Sequence, residues 1–189
     1  YDGSIIATAT PTITSGSLAS GDVGTYSETY DTKNQGTGKT LTPGVVSILD
    51  ATSASVVGNY SITYVPGALT VNTKALTVTA SAQSTTYGTA LTLGTNNTGT
   101  TRYTTSGLVN SNTVTSVTLS YGSDTTVAAT TNAGSYSITP SAASGTGLSN
   151  YNITYVDGAL TVNQKALTVT AANDSKTYDG LAYTNGNGV

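Results

Sequence analysis

The groups in this 189-residue sequence that could do chemistry are nine Asp and Glu, six Lys and Arg, thirteen Tyr and many hydroxyls, with no His and no Cys. Without His and Cys, the usual general base near neutral pH and most transition-metal ligands are missing, so any catalytic reading starts from carboxylates. Glu28, the only Glu, lies near Asp22 and Asp31, which suggests calcium binding or an acid pair. The spacing fits neither the EF-hand nor the glycine-rich calcium repeat, and a glycosidic acid pair needs a cleft that nothing in the sequence builds. The chain therefore reads as a non-enzyme with no metal and no cofactor. Lys33, Lys39, Lys74, Lys165 and Lys176 sit among many Asn, the ingredients of a Lys–Asn crosslink, but solvated side chains or packing stems explain them more simply. Thr77 with Thr79 and Thr168 with Thr170 have the spacing of an ice-binding face, and equally that of any solvent-facing strand.

Tyr is the sole aromatic. Tyr60, Tyr64, Tyr151 and Tyr155 stand at repeated positions and are expected in the core, whereas Tyr26, Tyr103 and Tyr121 are less constrained. Those three are the candidate ligand contacts, because aromatic side chains commonly anchor recognition surfaces. The formal net charge of −3 and pI near 4.4 argue against nucleic acid, whose binding rests on Lys and Arg. No run of eighteen apolar residues is present, which predicts no membrane insertion.

The elements that position these groups follow from an internal repeat. Residues 59–88, NYSITYVPGALTVNTKALTVTASAQSTTYG, and residues 150–179, NYNITYVDGALTVNQKALTVTAANDSKTYD, agree at 22 of 30 positions at an offset of 91. The same offset aligns Thr14-Ser15-Gly16 with Thr105-Ser106-Gly107. Tyr1-Asp2-Gly3 recurs as Tyr178-Asp179-Gly180 and, altered, as Tyr87-Gly88-Thr89. The heptapeptide KALTVTA, at Lys74 and again at Lys165, precedes the second and third of these triplets. The sequence thus divides into residues 1–73, a module lacking its first strand; residues 74–164, a full module; and residues 165–189, the first strand and start of a third. It reads as a window on a longer array.

Local patterning is that of strands. In NYSITYV, Tyr60, Ile62 and Tyr64 alternate with Ser61 and Thr63, and Leu76, Val78 and Ala80 alternate in KALTVTA, the period expected when one face is buried. Pro66-Gly67 and Asp157-Gly158 are turn formers, so NYxITYVxGALTV is expected to be a hairpin. Only Asn72 and Thr73 separate one run from the next, too short a link to behave as a flexible coil. One short helical turn is expected near Gly107 to Asn110. The predicted fold is all-β: tandem small β-sandwich or β-grasp-like modules in an elongated rod.

Two stretches of motif resemble known bacterial repeats. YDG at Tyr1, SLASGD at Ser17, YDTKNQGTGKTLTP at Tyr30 and GNYSITYV at Gly58 resemble the YDG domain. KALTVTA at Lys74, TYGTALTLG at Thr86, GLVNSNTVTSVTLS at Gly107 and the run from Thr130 to Asn163 are similar to the MBG domain of the YGX type, so the resemblance spans nearly the whole sequence. It implies a filamentous haemagglutinin-like adhesin, secreted or on the surface of a Gram-negative bacterium, and brings no catalytic residues. The function expected is a stiff stalk that extends an adhesive region or links cells in a biofilm. The alternatives are a module binding carbohydrate or protein by avidity, and a fibre built by strand addition between chains. The partners expected are neighbouring modules, identical chains in a fibre, and surface polysaccharide.

Overall fold

A computed structural model describes residues 1–97 and 102–182. The Thr-rich alternating runs form strands, since β-branched side chains pack well on a pleated surface. In the first module β1 (Val23–Tyr30), β2 (Gly36–Leu49) and β3 (Gly67–Val71) make an antiparallel sheet in that order. From Lys74 onward the strands are β4 (Lys74–Ala80), β5 (Gln83–Thr86), β6 (Leu91–Thr92), β7 (Gly94–Asn97), β8 (Tyr103–Ser106), β9 (Thr113–Ser120), β10 (Thr126–Val127), β11 (Gly134–Thr146), β12 (Tyr151–Val156) and β13 (Gly158–Asn163).

The second module takes the sandwich form. A five-stranded sheet, β5-β13-β11-β9-β7, faces a three-stranded sheet, β12-β4-β8, and β6 pairs with β10 beside them. The alternation in KALTVTA holds: Leu76, Val78 and Ala80 of β4 are buried with Val117 and Leu119 of β9, Ile138 of β11, and Leu160 and Val162 of β13 in one cluster. Each such Leu, Ile or Val contributes about 1.5–3 kcal/mol by leaving water. Gly145 lets β11 press against β9, because a Cβ there would lie 1.8 Å from the Thr113 carbonyl oxygen.

Three expectations fail, each for a tertiary reason. NYxITYVxGALTV is not a hairpin: β12 pairs in parallel with β4, while β13 pairs with β11 and β5 in the other sheet. Asp157 therefore marks a crossing between sheets. Residues 60–65, the same sequence in the first module, form no strand. Tyr64 and Tyr155 are exposed rather than in the core, where Tyr151 is buried and Tyr60 half-buried. Lastly, the segment from Gly107 is not helical; Asn110 and Ser111 turn in the left-handed region, and the short 3₁₀ turns fall instead at Val57–Asn59 and Leu148–Asn150.

Candidate functional site: a strand groove beside the module junction

The repeat offset of 91 carries β1, β3 and the clasp tyrosines onto their counterparts, while β2 maps onto β11 six residues further along. The pair β1–β2 matches β9–β11, and β3 matches β13. Ile6 bridges to Thr29 and Ala7 donates to the Glu28 carbonyl, so this segment rides along β1 as β7 rides along β9. The Tyr1 amino group donates to the Asn72 carbonyl at 2.7 Å, and the Tyr87 amide donates to Asn163, the counterpart of Asn72, at 2.9 Å. The loop clasp also recurs. Tyr60 Oη accepts from the Ala19 amide and donates to Asp22, whereas Tyr151 Oη accepts from the Val109 amide and from Asn112 Nδ2. The hydrogen bond to Asp22 raises the Tyr60 hydroxyl above its ordinary pKa, and burial followed by the Asp2 charge does so for Tyr30.

What differs is the second sheet. In the second module β4 lies between β12, its parallel partner, and β8, its antiparallel partner. In the first module the counterparts of those flanking strands, residues 60–65 and 12–15, form no strand. Between them runs a groove of about 700 Å³, floored by Tyr26, Val45 and Ile48 of the sheet and walled by Ile13, Ile62 and Tyr64.

Two glycines record the same difference at atomic scale. A Cβ on Gly107 would lie 2.4 Å from the Ala75 carbonyl oxygen, and one on Gly158 would lie 2.4 Å from that of Ala80, so β4 is threaded between two bare backbones. Their counterparts in the first module have no such neighbour: Gly16 has nothing within 4 Å, and Gly67 meets only the Leu41 side chain, at 3.7 Å and beyond.

The junction between the modules joins the Tyr1-Asp2-Gly3 triplet and Tyr151 to a set of asparagines. The Tyr1 ring packs edge-on against Tyr151 at 5.7 Å, and Asn112 Nδ2 donates to both phenolic oxygens at 3.0 Å. Asn110 Nδ2 donates to the Asp2 carbonyl at 2.9 Å, and a Cβ on Gly3 would collide with the Asn110 amide, which explains the glycine that ends this triplet. Asn150, buried, accepts from the Gln35 amide at 2.8 Å and donates to Asn34. For these asparagines the sequence offers only the density of Asn, which does not reveal which ones meet.

The structure does not bring the three candidate contact tyrosines together. Tyr26 lies in the first module's groove, where its hydroxyl is buried without a hydrogen-bond partner. Tyr103 and Tyr121 pack half-buried against the second module's core, Tyr121 edge-on to Tyr136 at 5.3 Å. Of the acids, Asp22 is engaged by Tyr60, and Glu28 is half-buried beside the groove. Among the described residues no group of three or more His, Cys, Asp or Glu could hold a metal ion.

Residues 76–161 match the MBG domain of the YGX type. The matched span coincides with the complete sandwich, from within β4 to within β13. The YDG-like reading of the first module rests on its own motifs. No curated protein and no solved structure matches the chain. No helix among the described residues is long and apolar enough to cross a membrane.

Proposed function

We propose that this chain is a structural segment of a bacterial surface adhesin, in which tandem β modules act as a stiff extracellular stalk. The observation that carries the reading is the junction. Two residues, Asn72 and Thr73, separate β3 from β4, and Tyr1, Asp2, Gly3 and Asn34–Gln35 of one module are held by Asn110, Asn112, Asn150 and Tyr151 of the next. A link so short and so hydrogen-bonded limits bending between neighbours. The MBG match supports the surface assignment, because repeats of this kind build adhesin-like proteins.

Repetition of the junction would add about 35–40 Å per module along a stalk, from strands that rise about 3.3 Å per residue. Small-angle scattering of the monomer tests this. The expected radius of gyration is clearly above the ~16 Å of a compact globule of this length; a value near ~16 Å would overturn the stalk.

A further inference from the structure

We infer that the second module is a load-bearing clamp. Tension that enters at Lys74 and leaves at Asn163 is carried in shear by the parallel ladders joining its first strands to its last. The use of such a clamp rests on the stalk reading, but the mechanical property does not, so the two can fail separately.

The first and last strands make two arms that lie side by side. β4 and β5 form one arm, linked through Ser81 and Ala82, and β12 and β13 form the other, linked through Asp157. Each arm starts in the three-stranded sheet and crosses into the five-stranded one. β12 pairs in parallel with β4 over six positions, from Tyr151 opposite Lys74 to Val156 opposite Thr79. β13 pairs in parallel with β5 over four, from Leu160 opposite Gln83 to Asn163 opposite Thr86. The arms thus run in the same direction in both sheets.

That direction decides how the ladders meet force. Tension draws Lys74 backward along one arm and Asn163 forward along the other, and in parallel arms these points lie at opposite ends of the ladders. The load then runs along the strands and is shared by all the pairs at once. Antiparallel first and last strands would put the two loaded ends together, and their hydrogen bonds would open one after another. Neither loaded strand is a sheet edge that could peel away, since β4 lies between β12 and β8, and β13 between β5 and β11.

Further contacts oppose sliding. The two crossings are seated against each other: a Cβ on Gly158 would lie 2.4 Å from the Ala80 carbonyl oxygen and 3.1 Å from the Ala80 side chain. Asp157, at its crossing, accepts from Ser137 Oγ at 2.8 Å, which ties that arm to β11. At the exit end Asn163 Nδ2 donates to the Thr85 carbonyl at 3.2 Å, and the Asn163 carbonyl accepts from the Tyr87 amide at 2.9 Å. Leu76 and Val78 of one arm and Leu160 and Val162 of the other are buried in one cluster, so slippage would also wet the core.

Single-molecule force spectroscopy of the full chain tests the clamp, and the absence of Cys lets the attachment points be chosen freely. Thr73→Cys with Gln164→Cys, both at exposed positions, loads the module from end to end. Thr73→Cys with Ser149→Cys loads the entry ends of the two arms and peels β12 from β4. The contour gain, about 3.3–3.6 Å for each residue between the handles, identifies the event. Forced rupture follows the unfolding barrier along the pulled direction, so one folded state gives two forces. The end-to-end force should exceed the peeling force by at least about twofold, in a single step. Asn163→Ala, which removes a bond between the arms at the exit end, should lower the end-to-end force and leave the peeling force unchanged. Equal forces in the two geometries overturn the clamp, as does end-to-end release in several small steps. A compact particle in scattering with the twofold force difference intact would overturn the stalk and leave the clamp, whereas an elongated particle with equal forces would do the reverse.

Discussion

Lys74–Ala80 and Lys165–Ala171 have identical sequences and opposite fates: the first is the central strand of a three-stranded sheet with its apolar face in the core, the second is exposed along its whole length. Residues 60–65 and 151–156 repeat the contrast, since the strand forms only where β4 is there to pair with it. Strand propensity is the same in each pair, so propensity does not decide the state. A parallel partner on one side and an apolar floor beneath do. In the first module residues 12–15 and 60–65 form no strand. Its sheet β1-β2-β3 and its Tyr60 clasp persist, but among the described residues only Tyr30, Ile48 and Val71 of its apolar side chains are buried.

The largest expected effect comes from making one substitution in both copies of the heptapeptide. Leu76→Ala removes a side chain from the centre of the core and should cost about 2–5 kcal/mol. Leu167→Ala, on a strand exposed in the single chain, should stay within about 0.5 kcal/mol. Urea denaturation followed by far-ultraviolet circular dichroism, at concentrations where the chain is monomeric, measures both. Equal losses would mean that Leu167 is already packed and would break the comparison.

The glycine pair sharpens the same contrast. Both Gly107 and Gly16 sit in the left-handed region, with φ of 109° and 80°, so an L side chain is strained at either. That shared strain is worth about 1–3 kcal/mol. Only at Gly107 would the added Cβ also drive into the Ala75 carbonyl. Gly107→Ala should therefore destabilise more than Gly16→Ala, by about 1–2 kcal/mol beyond the common strain, in the same denaturation experiment. A Gly16 loss as large as that of Gly107 would show that a strand already fills the first groove.

Much of this architecture was legible in the sequence. The offset of 91 picked out two similar stretches, and the alternation of Leu76, Val78 and Ala80 marked the face that the core buries. Alternation could not give pairing partners. It says that Tyr151 and Leu160 both face a core, but not that they face it from opposite sheets. A turn dipeptide between two alternating runs reads as a hairpin whether the chain folds back or crosses over. The pairing of β12 with β4 spans more than seventy residues and rests on the close approach of Ala80 to Gly158, which appears in the sequence only as a glycine. The junction asparagines were hidden for a related reason, since Asn serves turns and strand ends throughout the chain, and only folded geometry picks out Asn112 and Asn150.

The smallest effect concerns the clasp that both modules keep. Tyr60 Oη is bonded to the Asp22 carboxylate, whereas Tyr151 Oη is bonded to the Asn112 amide and the Val109 backbone. The hydrogen bond to Asp22 favours the protonated phenol and raises its folded-state pKa, so its contribution is complete below the unfolded value near ~10 and is lost as pH rises through the folded value. Phenolate absorbance during alkaline titration should show Tyr60 and Tyr30 ionising late, and both Tyr60→Phe and Asp22→Asn should remove the Tyr60 part of that component. Asp22→Asn should also loosen residues 60–65 on the groove's rim, seen as faster amide exchange there, while residues 151–156 keep their protection. Faster exchange in both copies would mean that the clasp acts across the junction, and that the first module's groove and the second module's core share one cooperative unit.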